Sequence, residues 1–195
     1  MVEFTITGEA LWTRMERAVE KVNQRLRNTV QILETAQIPY AVVGGHAVRA
    51  WVAQVDEAAL RTTQDVDILI RPADLPALID VMSAAGLQHR QSMGVDMFVE
   101  HAESSARDAV HILLTGQSVK DGEPYPDVEP STRTESFSTL PFETLIRMKL
   151  DAFHLKDQVH LQDMISLGMI DESWKSRLGE KLGDRLQKLL DTPEG

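Results

Sequence analysis

The stretch Tyr40-Ala41-Val42-Val43-Gly44-Gly45 is followed by Thr62-Thr63-Gln64-Asp65-Val66-Asp67-Ile68-Leu69-Ile70, in which Asp65 lies twenty residues after Gly45. The first segment reads as a short buried strand broken by a diglycine turn. The second reads as a β-branched, apolar strand with two acids at its head. Side chains alternate along a strand, so Asp65 and Asp67 point to one face. Their Cα atoms would then lie roughly 6.5 Å apart. At that separation both carboxylates can grip cations spaced about 3.5–4 Å from each other, as in two-metal sites. A diglycine opening a helix offers backbone N–H groups and the positive end of the helix dipole to a polyphosphate. Acids and phosphate cradle together point to chemistry on a nucleoside triphosphate (NTP).

Upstream, Leu11, Met15, Val19, Val22, Leu26, Val30 and Leu33 recur at steps of three and four, which predicts a helix over residues 9–36. Ile38-Pro39 ends it, because proline steers its predecessor out of the helical region. The diglycine turn leads into a second helix over 46–55, with Ala47, Ala50, Trp51 and Val55 inward. After the acidic strand, Arg71-Pro72 stops the chain and Asp74 is placed to cap a helix that Gly86 closes. Two more strands are expected near 97–100 and 109–114. Residues 115–139 carry three prolines, glycine and several hydroxyls, and read as a long loop and a boundary. From Leu140 the pattern is helical to about Leu190, with Gly168 separating two helices and Asp171 capping the last. The expected class is therefore α+β: a small mixed sheet packed with helices (1–139, including the N-terminal helix), then a helical C-terminal region (140–195).

Composition narrows the chemistry. Thirty acidic against twenty basic side chains give a net charge of −10 over 195 residues, so an extended basic stripe for duplex nucleic acid is not expected. There is no cysteine, which excludes disulfides, thiolate zinc sites and cysteine nucleophiles. Met1-Val2-Glu3-Phe4 lacks the basic start of a secretory signal, and no apolar run approaches the ~18 residues of a membrane span. The expected compartment is the cytoplasm, with no membrane partner.

The order of elements, with Gly44-Gly45 and Asp65-x-Asp67, resembles the polymerase-beta-like nucleotidyltransferase superfamily over residues 40–167. It is most similar to small bacterial nucleotidyltransferases of the abortive-infection toxin type. There a small residue follows the diglycine (Ala47 here), and a Thr or Ser stands two before the first acid (Thr63 here). The resemblance implies that Gly44, Gly45 and Thr63 approach the triphosphate and that Asp65 and Asp67 hold Mg²⁺ or Mn²⁺. It further implies a function: transfer of a nucleoside monophosphate from an NTP to an acceptor hydroxyl on a small molecule, a protein or an RNA end. It also places positive residues after the long loop. The run Leu145-Ile146-Arg147-Met148-Lys149-Leu150 through Lys156-Asp157 matches, and Lys149 and Lys156, seven apart on one expected helix, would share a face toward the nucleotide.

One position departs from the family. Active members generally carry a third carboxylate on a neighbouring strand, ligating metal and accepting the acceptor's proton; His111 stands there in this chain. Imidazole suits zinc, manganese or nickel better than magnesium, or can serve as a general base with its ordinary pKa near 6.5. Glu100 and Asp108 are the alternative acids. Two other functions therefore stay open beside the transferase. One is a catalytically degenerate member acting as a toxin–antitoxin component or regulator, with an antitoxin protein as partner. The other is an antibiotic-modifying nucleotidyltransferase.

Plainer readings accompany each motif. Gly44-Gly45 is also an ordinary tight turn, and the acids are also a solvated strand end; their coincidence favours the site. His111 is equally a buried, hydrogen-bonded histidine, and Lys149 and Lys156 equally surface lysines. His154 and His160 are roughly 240° apart on a straight helix and cannot share a zinc ion, so a local contact of His160 with Lys156 or Asp157 is expected. Arg61 and Arg71 are expected to compensate the nearby aspartates, or else to touch phosphate. Tyr125-Pro126 could shape a base pocket. Trp12, Trp51, Trp174 and the eight methionines are expected in packing roles.

Overall fold

Strand β1 (Tyr40–Val43) pairs antiparallel with β2 (Val66–Ile70), and every residue of β1 is buried, as its apolar composition requires. We describe residues 8–101, 104, 108–118 and 122–192 of a computed structural model. Helix α1 (Gly8–Thr35) precedes β1, and the chain leaves it through Gln37 at φ 55° before Pro39. Helix α2 (Gly44–Val52) begins on the diglycine itself, so both glycines form its first turn rather than a separate bend. Helix α3 (Leu75–Ala84) follows β2 and ends before Gly86 at φ 89°. Asp74 stands at its N-cap with helical backbone angles and makes no side-chain capping bond, contrary to expectation.

A hairpin comes next, β3 (Gln88–Ser92) and β4 (Val95–Val99), then β5 (Val110–Leu114). Strand β3 was not expected: Gln88-His89-Arg90-Gln91-Ser92 has no apolar face, because it is the sheet's edge and pairs with β4 alone. The segment 115–139 contains two short strands, β6 (Thr132–Arg133) and β7 (Ser138–Thr139), and β7 pairs parallel with β1. The seven strands run β3-β4-β5-β2-β1-β7-β6, with β2 and β5 parallel at the centre.

Alternation along the central strands sorts the core. Val66, Ile68 and Ile70 of β2, with Val110, Ile112 and Leu114 of β5, face α1 and α3. Fully burying each such side chain contributes about 1.5–3 kcal/mol. Ala41, Val43 and Leu69 face the other way, against α2 and three later helices: α4 (Phe142–Ala152), α5 (Leu155–Ser166) and α6 (Lys175–Asp191). Asp67 and His111 belong by register to this second face. Trp51, Phe142 and Trp174 stack there in one aromatic cluster, whereas Trp12 is 65% exposed and packs in no core. Gly168 turns at φ 68° after α5, as expected, whereas Asp171 caps only a short 3-10 turn (Glu172–Trp174) by accepting from the Ser173 amide, and the N-cap of α6 itself is Trp174. Among the described residues no helix is long and apolar enough to cross a membrane.

Candidate functional site

Gly44 turns the chain out of β1 at φ +65°, a conformation glycine adopts without penalty. Because Val43 pairs with Asp67, the Asp67 side chain arrives beside that turn. A Cβ on Gly44 would lie 2.0 Å from Asp67 Oδ2, and a Cβ on Gly45 would lie 2.5 Å from Thr63 Oγ1. The diglycine thus lets a carboxylate and a hydroxyl pack directly against the first turn of α2. The N-cap of that helix is Val43, whose side chain makes no capping bond, so its leading N–H groups are suited to an anion.

Asp65 precedes β2 by one residue rather than standing in it, and its carbonyl accepts a 3.5 Å hydrogen bond from Thr63 Oγ1. Asp67 lies opposite His111 in the β2–β5 ladder, with Asp67 Oδ1 and His111 Nδ1 3.4 Å apart. Lys156 reaches Asp65 Oδ2 at 3.3 Å. Partial desolvation works against its ammonium, but Asp67 and then Asp65 outweigh that and hold the Lys156 pKa above its usual value. Behind the diglycine, His46 is only 4% exposed, and among the described residues its Nε2 has no hydrogen-bond partner. Burial, followed by the Arg49 charge, pushes its pKa down to about 4, against the opposing pull of Asp67 and Asp65.

The expected single helix carrying both lysines is broken. Phe153 adopts φ 53° between α4 and α5, so Lys149 and Lys156 lie on different helices. Nor is Lys149 a surface lysine: it is 4% exposed, and its Nζ donates to Asp157 Oδ1 at 3.0 Å and meets His160 Nδ1 at 3.1 Å. Asp157 also takes the His154 amide and faces the His154 ring, closing a capping box at the start of α5. The hydrogen-bond partner of His160 is thus Lys149, with Asp157 and Lys156 acting on its ring through their charges.

Gly44, Asp67, His111, Lys149, His154, Lys156 and Asp157 border a cavity of about 450 Å³ between the second face of β4–β5 and helix α4, whereas Gly45, Thr63 and His160 line a separate, smaller cleft and Asp65 lines neither. Asp67, His111, Lys149 and Lys156 line one side of it. Tyr125 lines it as well, its phenol pKa raised by burial and then by Asp67 and Asp157. The apolar walls, and the contributions of His154 and Asp157, were not read from the sequence. The Met93-Gly94 hairpin turn was the one local signal that could have pointed to them.

Several candidates are elsewhere. Asp108 faces α1, 3.3 Å from Arg25 and 3.9 Å from Lys21. Glu100 is exposed past the end of β4. Arg61 pairs with Asp163 at 2.9 Å, and Arg71 with Asp127 at 2.9 Å and Glu129 at 3.3 Å. Neither arginine compensates Asp65 or Asp67.

Among the described residues, no group of three or more His, Asp or Glu is placed to hold a metal ion unaided. Magnesium commonly takes one or two carboxylates and completes its shell with phosphate oxygens and water. Two aspartates, one of them pressed against the first turn of a helix, fit that mode. A second magnesium held by a third carboxylate does not fit, because the position carries imidazole.

No protein-family model matches the sequence, and no curated protein does. Solved structures do. An antigenic nucleotidyltransferase-like protein from Paracoccidioides brasiliensis superposes with a TM-score of 0.57 at 18% identity, over 89% of this chain and 88% of that one. The fold is nucleotidyltransferase-like. An H. pylori protein classed as a nucleotidyltransferase agrees, with a TM-score of 0.52 at 16% identity over 92% of this chain and 79% of that one. At such identities the likeness concerns architecture, and the chemistry rests on the residues.

Proposed function

We propose that this protein binds a nucleoside triphosphate and transfers its nucleoside monophosphate to an acceptor hydroxyl. The observation that carries the reading is the packing of the Asp67 carboxylate against Gly44, beside His111 and under Lys156. The first turn of α2, with Gly44, Gly45 and Thr63, receives the triphosphate. Asp65 and Asp67 would hold Mg²⁺ or Mn²⁺ together with phosphate oxygens. When bound, the ion supplies positive charge that neutralises the triphosphate and the departing pyrophosphate.

In the transfer, the acceptor oxygen forms a bond to the α-phosphorus as the α–β bridging bond breaks. Pyrophosphate leaves with that bonding pair. His111 takes the hydroxyl proton: with Nδ1–H turned toward Asp67, the lone pair is on Nε2. Lys156 adds positive charge beside both carboxylates, and the buried Lys149 adds it at the cavity floor. Calorimetry with each NTP and Mg²⁺ or Mn²⁺ tests the reading, and an absence of binding with either ion ends it.

A second reading is a nucleotide-binding but inert relative that acts through a protein partner such as an antitoxin. It is favoured by an imidazole, and not a carboxylate, standing opposite Asp67 in the β2–β5 ladder. The variants His111→Ala and His111→Asp separate the two. Loss of activity in the first supports the enzyme; activity gained in the second from an inert parent supports the degenerate protein.

A further inference from the structure

The cavity beside Asp67 has two unlike halves. Its charged groups gather near β2 and the α4–α5 junction. Its apolar walls include Val95 and Met97 from β4, Leu113 from β5, and Leu145 and Met148 from α4, with the Tyr125 phenol and Ser92 also at its border. The alternation that turns His111 toward this face also turns Leu113 and Met97 toward it, since Met97 lies opposite His111 in the ladder. A volume of about 450 Å³ is within the range of small-molecule sites, which are mostly apolar with a few placed polar groups.

The hairpin tip at its mouth is built against local preference. Ser92 pairs with Val95, so Met93-Gly94 is a two-residue loop, and both residues have positive φ, 50° and 80°. Such turns favour Asn or Asp followed by Gly. Here the first position carries methionine, 103% exposed, on a backbone that an unbranched thioether side chain does not favour. The eight methionines were expected to fill gaps in packing; this one fills nothing in the fold. A flexible, polarizable side chain standing over an apolar cavity is suited to contact a ligand.

The polar lining offers little to a polycation. Of the two carboxylates that line the cavity, Asp157 is committed to Lys149 and His154, which leaves Asp67 with its His111 contact. We propose that the acceptor, on the nucleotidyl-transfer reading above, is an amphipathic small molecule. Its apolar body lies against Met97, Leu113, Leu145 and Met148 with Met93 over it, and its hydroxyl points to Asp67 and His111. Hydroxyl-rich polycations such as aminoglycosides are poor acceptors, because the apolar walls leave several ammonium groups to share the Asp67 carboxylate.

The probe is octyl β-D-glucoside below its micelle concentration, titrated calorimetrically into the full chain, with glucose and kanamycin as controls. The expected result is binding of octyl glucoside but neither control, retained in saturating Mg²⁺·ATP. Met93→Asp, a solvent-exposed change that a turn tolerates, weakens it on the order of 3- to 10-fold. Three results overturn the proposal: no binding of the probe, no effect of Met93→Asp, or mutual exclusion with Mg²⁺·ATP, which would give the apolar walls to the nucleobase. If the probe binds while no NTP does with Mg²⁺ or Mn²⁺, the transfer reading has failed and the acceptor role falls with it. Binding of NTP without the probe removes the acceptor class alone.

Discussion

Asp67 Oδ2 occupies the space that a side chain on Gly44 would need, so the acid and the glycine are a matched pair. The match follows from β-sheet register, because Val43 opposite Asp67 fixes where the carboxylate meets the first turn of α2. Gly44→Ala should therefore fail twice. A positive φ costs alanine about 1–2 kcal/mol, and the new methyl displaces the carboxylate. Urea unfolding should show at least that loss, and NTP affinity should fall on the order of tenfold. A variant with unchanged affinity would detach Asp67 from nucleotide binding.

Lys156 should behave in the opposite way. Its ion pair with Asp65 is largely exposed, and such pairs contribute about 0–1 kcal/mol. Lys156→Ala should leave the unfolding midpoint nearly unchanged. If the ammonium also bonds a phosphate, a charged hydrogen bond of about 1.5–3 kcal/mol is lost, and affinity for Mg²⁺·NTP drops at least tenfold. Equal affinity in the variant and the parent would make this lysine a purely local partner of Asp65.

The buried pair Lys149–Asp157 predicts a stability effect. Removing one partner leaves an uncompensated buried charge, which costs about 3–5 kcal/mol. Lys149→Met should show this by chemical denaturation, and Lys149→Met with Asp157→Leu should recover most of it. Failure of the double variant to recover would mean that the His154 and His160 contacts carry the junction.

Acid should destabilise the fold through two histidines. Burial lowers both His46 and His160 from 6.5 to about 4, assisted by Arg49 and Lys149 respectively. Between those values the unfolded chain binds protons that the folded chain refuses. Stability is thus full above about pH 6.5, declines as pH falls, and levels off for these groups below about pH 4. His160→Gln keeps an acceptor for Lys149 and should flatten the slope by up to about 1.4 kcal/mol per pH unit. An unaltered slope would remove His160 from the linkage.

The central strands and the diglycine were legible because their chemistry is local. An apolar run, a glycine pair and alternating acids each state their own geometry. Strand β3 was not legible, since an edge strand of polar residues has no periodic apolar signal. The break at Phe153 was equally hidden: neither glycine nor proline marks it, and the turn is held by the His154–Asp157 capping box and contacts made across it.

From the order of residues alone came the two-faced strands, the side on which Asp67 and His111 emerge, and the glycine turn at the head of α2. Alternation and backbone sterics act between near neighbours, and near neighbours are written in the chain. The tertiary fold alone decided that Lys149 is buried against Asp157, that Asp108 turns away to α1, and that an apolar cavity adjoins the acids. Those outcomes depend on which distant segments share a face, a choice made by packing the whole core and not by any one stretch.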